Sequence, residues 1–148
     1  MTDYIRNKRI NFDFEVLDTF EVGAVLFGYE VKSIRNHKGS LSGAYVVVRA
    51  GEAFLVGASL SPYQIANTPK NYDPERTRKL LLKKKELLEL EKKDGQAGLT
   101  IVPIKWYNKN RKIKLLIALV RGQKKADKRE KIKERDTKRH IERLLKNQ

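Results

Sequence analysis

Apolar and polar residues alternate over several short stretches of the chain, a pattern typical of β-strands that bury one face. Residues 25–31 alternate with a period of two and predict a strand, and residues 14–20 supply one more. Two pairs of apolar runs predict hairpins, because each pair is joined by a connection of only four residues. These pairs are residues 45–48 with 53–60 and residues 99–107 with 112–120.

A helix is predicted over about residues 74–94. Asp73 suits the N-cap, Pro74 suits the first helical position, and Gly95 suits the C-terminal stop. Four leucines recur on one face of this segment: Leu80, Leu81, Leu87 and Leu88. Short strands, many turns and one inserted helix indicate a mainly β fold, a closed or nearly closed small barrel of the OB type.

The distribution of charge points to a partner. The 148 residues contain 33 Lys and Arg against 18 Asp and Glu, a net charge of +15. Such a surplus favours polyanions, because each phosphate that a cation neutralises releases counterions. Residues 121–148 carry almost half of the excess, with 12 cations against 5 acids, and they lack an apolar face. We therefore predict a barrel over residues 1–120 and a basic tail over 121–148, disordered alone and helical against RNA.

Candidate catalytic chemistry is sparse. The two histidines, His37 and His140, are far apart in sequence, and the absence of cysteine excludes a thiolate metal site and a Cys nucleophile. Glu21 and Glu30 could form a metal-binding nuclease pair, but in so basic a chain they are more simply hydrogen-bond acceptors or surface charges. We expect no enzyme, no metal and no cofactor.

The location expected from the sequence is cytoplasmic, with no membrane partner. No apolar run approaches the roughly 20 residues of a membrane span, and residues 1–9 lack the apolar segment of a secretory signal.

Aromatic residues among the cations favour recognition of unpaired RNA, in which bases stack on rings while phosphates meet cations. Core packing is an equally good interpretation for any one of these rings. They are Phe12, Phe14, Tyr63, Tyr72, Trp106 and Tyr107.

Three ordered motifs resemble those of one family, the SsrA-binding proteins (SmpB). GYEVKSIR at residues 28–35 is similar to the family's Gly-x-Glu-Val-Lys-Ser segment. DPERTRKLLL at 73–82 resembles its Asp-Pro-x-Arg-x-Arg-Lys-Leu-Leu-Leu segment, and DKR at 127–129 resembles the opening of its tail. The resemblance covers nearly all of residues 7–146.

The resemblance implies a six-stranded, antiparallel OB-like barrel with flanking helices and a basic C-terminal tail. It implies a monomeric, non-enzymatic partner of transfer-messenger RNA, whose tRNA-like domain the barrel grips. With elongation factor Tu, the charged complex would enter stalled ribosomes for trans-translation. The tail would then lie near the decoding centre of the small subunit, in the empty mRNA channel.

Site residues follow from the same resemblance. Those expected to contact RNA from the barrel are Lys8, Arg9, Phe12, Glu21, Glu30, Lys32, Leu81 and Lys114. Those expected to contact the ribosome from the tail are Asp127, Lys128, Arg129, Lys131, Lys133, Arg135, Lys138 and Arg139. Leu81 could equally pack its own helix, and Glu30 with Lys32 could form a structural cross-strand pair.

Two positions depart from the family's pattern. Ala126 stands where a histidine or an aromatic residue commonly precedes the DKR motif, and a methyl group cannot stack on a base. Phe12 stands where histidine is frequent, which keeps stacking but loses a hydrogen bond. The alternative function is a generic single-stranded nucleic-acid-binding OB protein or RNA chaperone, for which charge, aromatics and a barrel suffice.

Overall fold

The computed structural model describes residues 2–8, 10–64, 66 and 68–122, with only the backbone described at 11 and 12. Within these ranges the chain forms nine strands and three helices. In chain order they are β1 (Asp3–Arg6), α1 (Ile10–Asp13), β2 (Phe14–Ala24), α2 (Gly28–Arg35), β3 (Gly39–Ser40), β4 (Tyr45–Arg49), β5 (Glu52–Val56), β6 (Ser59–Leu60), β7 (Arg78–Leu81), α3 (Lys84–Lys93), β8 (Leu99–Lys109) and β9 (Lys112–Gly122).

Six strands close into a ring. The order β8–β4–β5–β7–β2–β9 is completed by pairing of β9 back to β8, and every pairing is antiparallel. Strand β1 adds to β8 beside β4, outside the ring. Closure pairs the strand edges that would otherwise invite aggregation. The mainly β, six-stranded barrel predicted from the sequence is therefore confirmed.

The core fills the inside of this ring. Inward side chains alternate with outward ones, as Val46 and Val48 do on β4 and Leu115, Ile117 and Leu119 do on β9. On the outer face of the ring, helix α1 contributes to a second, smaller cluster with residues of β8 and β9.

Both predicted hairpins are present, with tighter turns than the sequence suggested, but the run predicted over 53–60 is divided between β5 and β6. Strands β4 and β5 pair as far as Arg49 opposite Glu52, and β8 and β9 pair as far as Lys109 opposite Lys112. Each turn therefore has two residues, all of them at positive φ between 51° and 74°. Two consecutive positive φ values match the twist of antiparallel strands, which favours this turn in hairpins.

The strand predicted over residues 25–31 is wrong, because the chain leaves β2 at Ala24 and enters helix α2. The buried residues of α2 are Glu30, Ser33 and Ile34, a helical spacing that the alternating pattern concealed. Glu30 also accepts a hydrogen bond at 2.9 Å from the backbone N–H of Phe27, which satisfies a donor at the start of the helix. The alternation over residues 25–31 therefore does not determine the local structure, because buried contacts of the helix outweigh it.

The helix predicted over about 74–94 is wrong in its first half. Residues 78–81 form strand β7, in which Arg78 and Leu80 are buried while the intervening side chains face outward. Asp73 does not cap a helix; its carboxylate accepts from the N–H of Glu75 at 2.9 Å within a turn. Helix α3 begins only at Lys84, and its end before Gly95, at φ +83°, agrees with the prediction.

The boundary predicted after residue 120 falls inside β9, which continues to Gly122. Arg121 pairs with Leu99 on one side and Glu15 on the other, and Gly122 lies opposite Phe14. The ordered barrel therefore extends two residues beyond the predicted limit.

Candidate nucleic-acid interface

Three residues predicted to contact RNA converge around one glycine on the outer face of the barrel. Gly23 on β2 pairs directly with Leu81 on β7. A Cβ atom built on Gly23 would lie 3.5 Å from Cβ of Leu81 and 3.8 Å from Nζ of Lys114. Glu21 lies two residues earlier on β2 and so on the same face. We call Glu21, Gly23, Leu81 and Lys114 the Gly23 surface.

The carboxylate of Glu21 is held by its neighbours. It accepts a hydrogen bond from the hydroxyl of Tyr107, and its Oε1 lies 2.9 Å from Nζ of Lys109. These two bonds, with the charges of Lys109 and Lys114, lower the pKa of Glu21 although slight burial opposes them. A charged acceptor therefore lies among cations, where it can receive a hydrogen bond from a base edge.

Further cations surround this surface. Lys105 and Lys109 extend from the same face of β8 as Tyr107, which pairs with Lys114. Nζ of Lys105 lies 5.4 Å from the ring centroid of Tyr107 and 3.0 Å from Oδ1 of Asp3. Lysines at this spacing provide positive charge along a phosphate backbone.

Several aromatic residues that the sequence left open between core and contact are structural. Trp106 is buried in the core, and Tyr107 is buried beneath the surface that it supports. Burial and the hydrogen bond to Glu21 raise the pKa of the Tyr107 hydroxyl, so it stays a donor at neutral pH. The hydroxyl of Tyr72 donates to the backbone oxygen of Leu60 at 2.9 Å. Burial of Trp106 and Tyr107 leaves neither ring open to a base.

Glu30, predicted to contact RNA, is not on the surface: its side chain has no solvent exposure. Its Oε2 accepts from Nε of Arg78 at 2.8 Å and from Nε of Arg76 at 3.1 Å, and Nη2 of Arg76 binds Oε1. Burial would raise the pKa of Glu30, but hydrogen bonds from Arg76 and Phe27 and the charge of Arg78 outweigh it and lower the pKa. Glu30 is also not a cross-strand partner of Lys32, since both lie on helix α2.

Two other predicted contacts lie apart from the Gly23 surface. Lys8 is exposed and lines a groove with Arg6 and Val16, between β1 and the first half of β2. Lys32 is exposed and lines a groove of about 220 Å³ with Tyr29 and Tyr63. Neither groove is lined by any residue of the Gly23 surface.

The remaining predicted residues lie outside the described part of the chain. Arg9, the side chain of Phe12, and the tail residues Asp127, Lys128, Arg129, Lys131, Lys133, Arg135, Lys138 and Arg139 belong to this group.

Sequence reasoning missed Gly23 and the pair of Phe27 and Arg76. The guanidinium of Arg76 lies 4.2 Å from the ring centroid of Phe27, which is about half exposed. Gly23 could have been recognised from the sequence, because a glycine inside a strand often marks a place where a ligand approaches the backbone closely. Phe27 could not be recognised in this way, because the strand predicted through it gave no reason to pair it with Arg76.

The described ranges hold neither a cluster of metal ligands nor a membrane-spanning helix. No group of three or more His, Asp or Glu side chains among those residues could hold a metal ion. No helix in the described part is long and apolar enough to cross a membrane.

A closed six-stranded barrel with a cation-lined outer face places the molecule among the small OB-like barrels that bind nucleic acid. Comparison with known proteins gives a family. The family model described as "SmpB protein" matches residues 4–147. The chain belongs to the SmpB family.

The sequences of known relatives align with almost the whole chain. The SsrA-binding protein of Enterococcus hirae is 47% identical over 142 residues, covering 96% of this chain and 92% of the relative. That of Mycoplasma mycoides is 46% identical over 135 residues, covering 91% of each. A solved chain described as "tmRNA-SmpB: a journey to the center of the bacterial ribosome" is 42% identical, with a TM-score of 0.68 over 82% of this chain and 85% of that one.

Proposed function

We propose that this protein binds the tRNA-like domain of transfer-messenger RNA and delivers it to stalled bacterial ribosomes in trans-translation. The observation that carries the proposal is the convergence of Glu21, Leu81 and Lys114 around Gly23. Its curated relatives are SsrA-binding proteins, and a similar solved chain comes from work on tmRNA–SmpB and the bacterial ribosome. The protein acts as a cytoplasmic, monomeric adaptor that binds RNA and catalyses no reaction.

Each member of the Gly23 surface has a separate role in this proposal. Lys114 neutralises a phosphate, and Leu81, with 54% of its surface exposed, makes apolar contact with a base or ribose. Glu21 accepts a hydrogen bond from a base edge, which a cation cannot do. Gly23 lets the RNA backbone approach closely between the two side chains.

The barrel and the tail divide the work. The barrel holds the RNA beside elongation factor Tu, and the basic tail follows the vacant mRNA channel near the decoding centre of the small subunit. Asp127, Lys128 and Arg129 meet the decoding centre, and later cations track rRNA phosphates. Lys8, Arg9, Phe12 and Lys32 remain proposed RNA contacts of the barrel.

The experiment that tests barrel binding measures affinity for the isolated tRNA-like domain at a stated salt concentration. Lys114→Ala and Leu81→Ala should each weaken binding about tenfold or more, equivalent to roughly 1.4 kcal/mol. Lys85→Ala is the matched control, because it removes the same charge from an exposed position on α3. Equal loss from Lys85→Ala would mean that only overall charge matters.

Competition with an unstructured oligonucleotide separates this function from a generic single-stranded binder. A preference for the folded RNA supports the proposal, and equal affinity at physiological salt supports the alternative. A chain ending at Gly122, which keeps β9 complete, should retain RNA affinity but lose peptide tagging on stalled ribosomes. Loss of both would contradict the division between barrel and tail.

A further inference from the structure

Beyond Gly23, the segment that links β2 to α2 and the adjacent end of β7 form an apolar ledge, which we define as Val25, Phe27 and Leu81. Ala24 and Leu26 pack against the core, so the residues between and beyond them face outward. The backbone N–H of Val25 donates to the oxygen of Lys79 at 2.9 Å, which places Val25 beside the outer face of β7. The exposed fractions are 49% for Val25, 48% for Phe27 and 54% for Leu81.

Phe27 is held rigidly although half of it faces solvent. Arg76 covers part of the ring, with its guanidinium 4.2 Å from the centroid, and its Nη2 donates to the backbone oxygen of Val25 at 3.2 Å. The ring of Tyr29 lies 5.3 Å away on a plane tilted by 30°. A ring fixed in this way loses little conformational entropy when a ligand packs on it.

Buried Glu30 anchors both members of this pair. Its carboxylate accepts the backbone N–H of Phe27 at 2.9 Å and also binds the guanidinium of Arg76. Arg78, beneath them, binds the same carboxylate and is fully buried. The network therefore holds both the backbone of Phe27 and the guanidinium that lies against its ring.

The charge around the ledge favours RNA as its occupant. Lys114 lies beside Leu81 across Gly23, and the guanidinium of Arg76 lies against Phe27. Unpaired RNA combines flat apolar bases with phosphates, and aromatic rings beside cations match that combination. A second protein would need an acidic rim to meet these cations.

We propose that Phe27 is a further RNA-contacting residue, on which an unpaired base of the bound RNA stacks, and that Glu30 and Arg76 are its positioning residues. This inference rests on the proposed function, because it places the base in the same RNA that the Gly23 surface binds. It extends the interface from Gly23 through the link after β2 to Phe27, at the start of α2.

The test uses the full chain and the tRNA-like domain of transfer-messenger RNA. Phe27→Ala should weaken binding about tenfold, the effect of losing one base–aromatic stack. Phe27→Tyr should keep near wild-type affinity. Leu88→Ala is the matched control, because Leu88 is 52% exposed on helix α3, and it should bind as the wild type does. Phe27→Ala should leave the salt dependence unchanged, since no phosphate contact is lost.

A second readout does not depend on affinity. Tryptophan introduced as Phe27→Trp should be quenched when the RNA binds, whereas tryptophan introduced as Leu88→Trp should not. The outcomes separate the two proposals. Weaker binding by Leu81→Ala and Lys114→Ala, with unchanged binding by Phe27→Ala and no quenching, would overturn the stacking contact and leave the proposed function standing. No specific binding of the RNA by the wild type would overturn both.

Discussion

Glu30 and Arg78 form an ion pair inside the protein, with Nη2 of Arg78 2.7 Å from Oε2 of Glu30 and both side chains without solvent exposure. Glu30 lies on α2 and Arg78 on β7, so the pair ties the helix to the barrel wall. Arg78 also donates to the backbone oxygens of Ala58 at 2.8 Å and Pro74 at 3.0 Å. A buried charge of each sign is tolerated here because each is paired and hydrogen-bonded.

Glu30→Ala should reduce the free energy of unfolding by about 3–5 kcal/mol, because it leaves Arg78 charged and uncompensated in the interior. Urea denaturation at neutral pH measures the change. Glu52→Ala is the control, since its pair with Lys79 at 3.3 Å is exposed and worth at most about 1 kcal/mol. Equal losses from the two variants would mean that burial of the pair has no energetic consequence.

The stability contributed by Glu30 should depend on pH in the acid range. The pKa of Glu30 is lowered below its ordinary value of 4.5, so on acidification the unfolded chain takes up the proton first. The difference in unfolding free energy between the wild type and Glu30→Gln should be constant well above pH 4.5 and shrink as pH falls through the lowered pKa. Denaturation series at several pH values would detect this, and a difference constant throughout acidification would contradict it.

RNA binding should tolerate a methyl group at position 23 but not a large side chain. The Cβ of Gly23→Ala would meet its nearest neighbours at 3.5–3.8 Å, which is ordinary contact. Gly23→Leu would fill the space between Leu81 and Lys114, so RNA affinity should fall about tenfold or more, roughly 1.4 kcal/mol. Thermal unfolding should show both variants folded, and unimpaired RNA binding by Gly23→Leu would remove the argument for close approach.

Lys114→Ala should change the salt dependence of RNA affinity as well as its magnitude. Loss of one phosphate contact lowers the slope of log affinity against log salt concentration by about 0.7–0.9. Leu81→Ala should weaken binding with an unchanged slope, because an apolar contact releases no counterions. Titrations at four or more salt concentrations would distinguish them, and parallel lines for Lys114→Ala and the wild type would exclude a phosphate contact.

Much of the barrel could be predicted because its hairpins are local. Pairing of β4 with β5 and of β8 with β9 needs only alternation and a short turn, both visible in the sequence. Helix α2 and strand β7 could not be predicted, because their conformations depend on Glu30 and Arg78 meeting across 48 residues. Because this segment was predicted to be helical, the sequence gave no indication that Arg78 points inward on a strand.

The candidate site was predictable in composition rather than in arrangement. Family resemblance named Glu21, Leu81 and Lys114 separately, and only the register of β7, β2 and β9 brings them together. The same resemblance named Glu30, and its place in the motif could not distinguish a surface contact from an internal anchor. Phe27 and Arg76 were missed because their contact depends on that anchor.

The hydrogen bonding of β9 also sets the starting point for whatever follows it. Gly122 is paired with Phe14, and its N–H donates to the oxygen of Gly98 at 3.4 Å, so β9 is hydrogen-bonded on both sides up to the last residue that the structure describes. The 26 residues from 123 to 148 follow directly on this paired residue. Their span from it is at most about 90 Å when extended and about 39 Å as one continuous helix. Residue 148 can therefore reach a surface within about 90 Å of Gly122 if these residues are extended, or within about 39 Å if they form one helix.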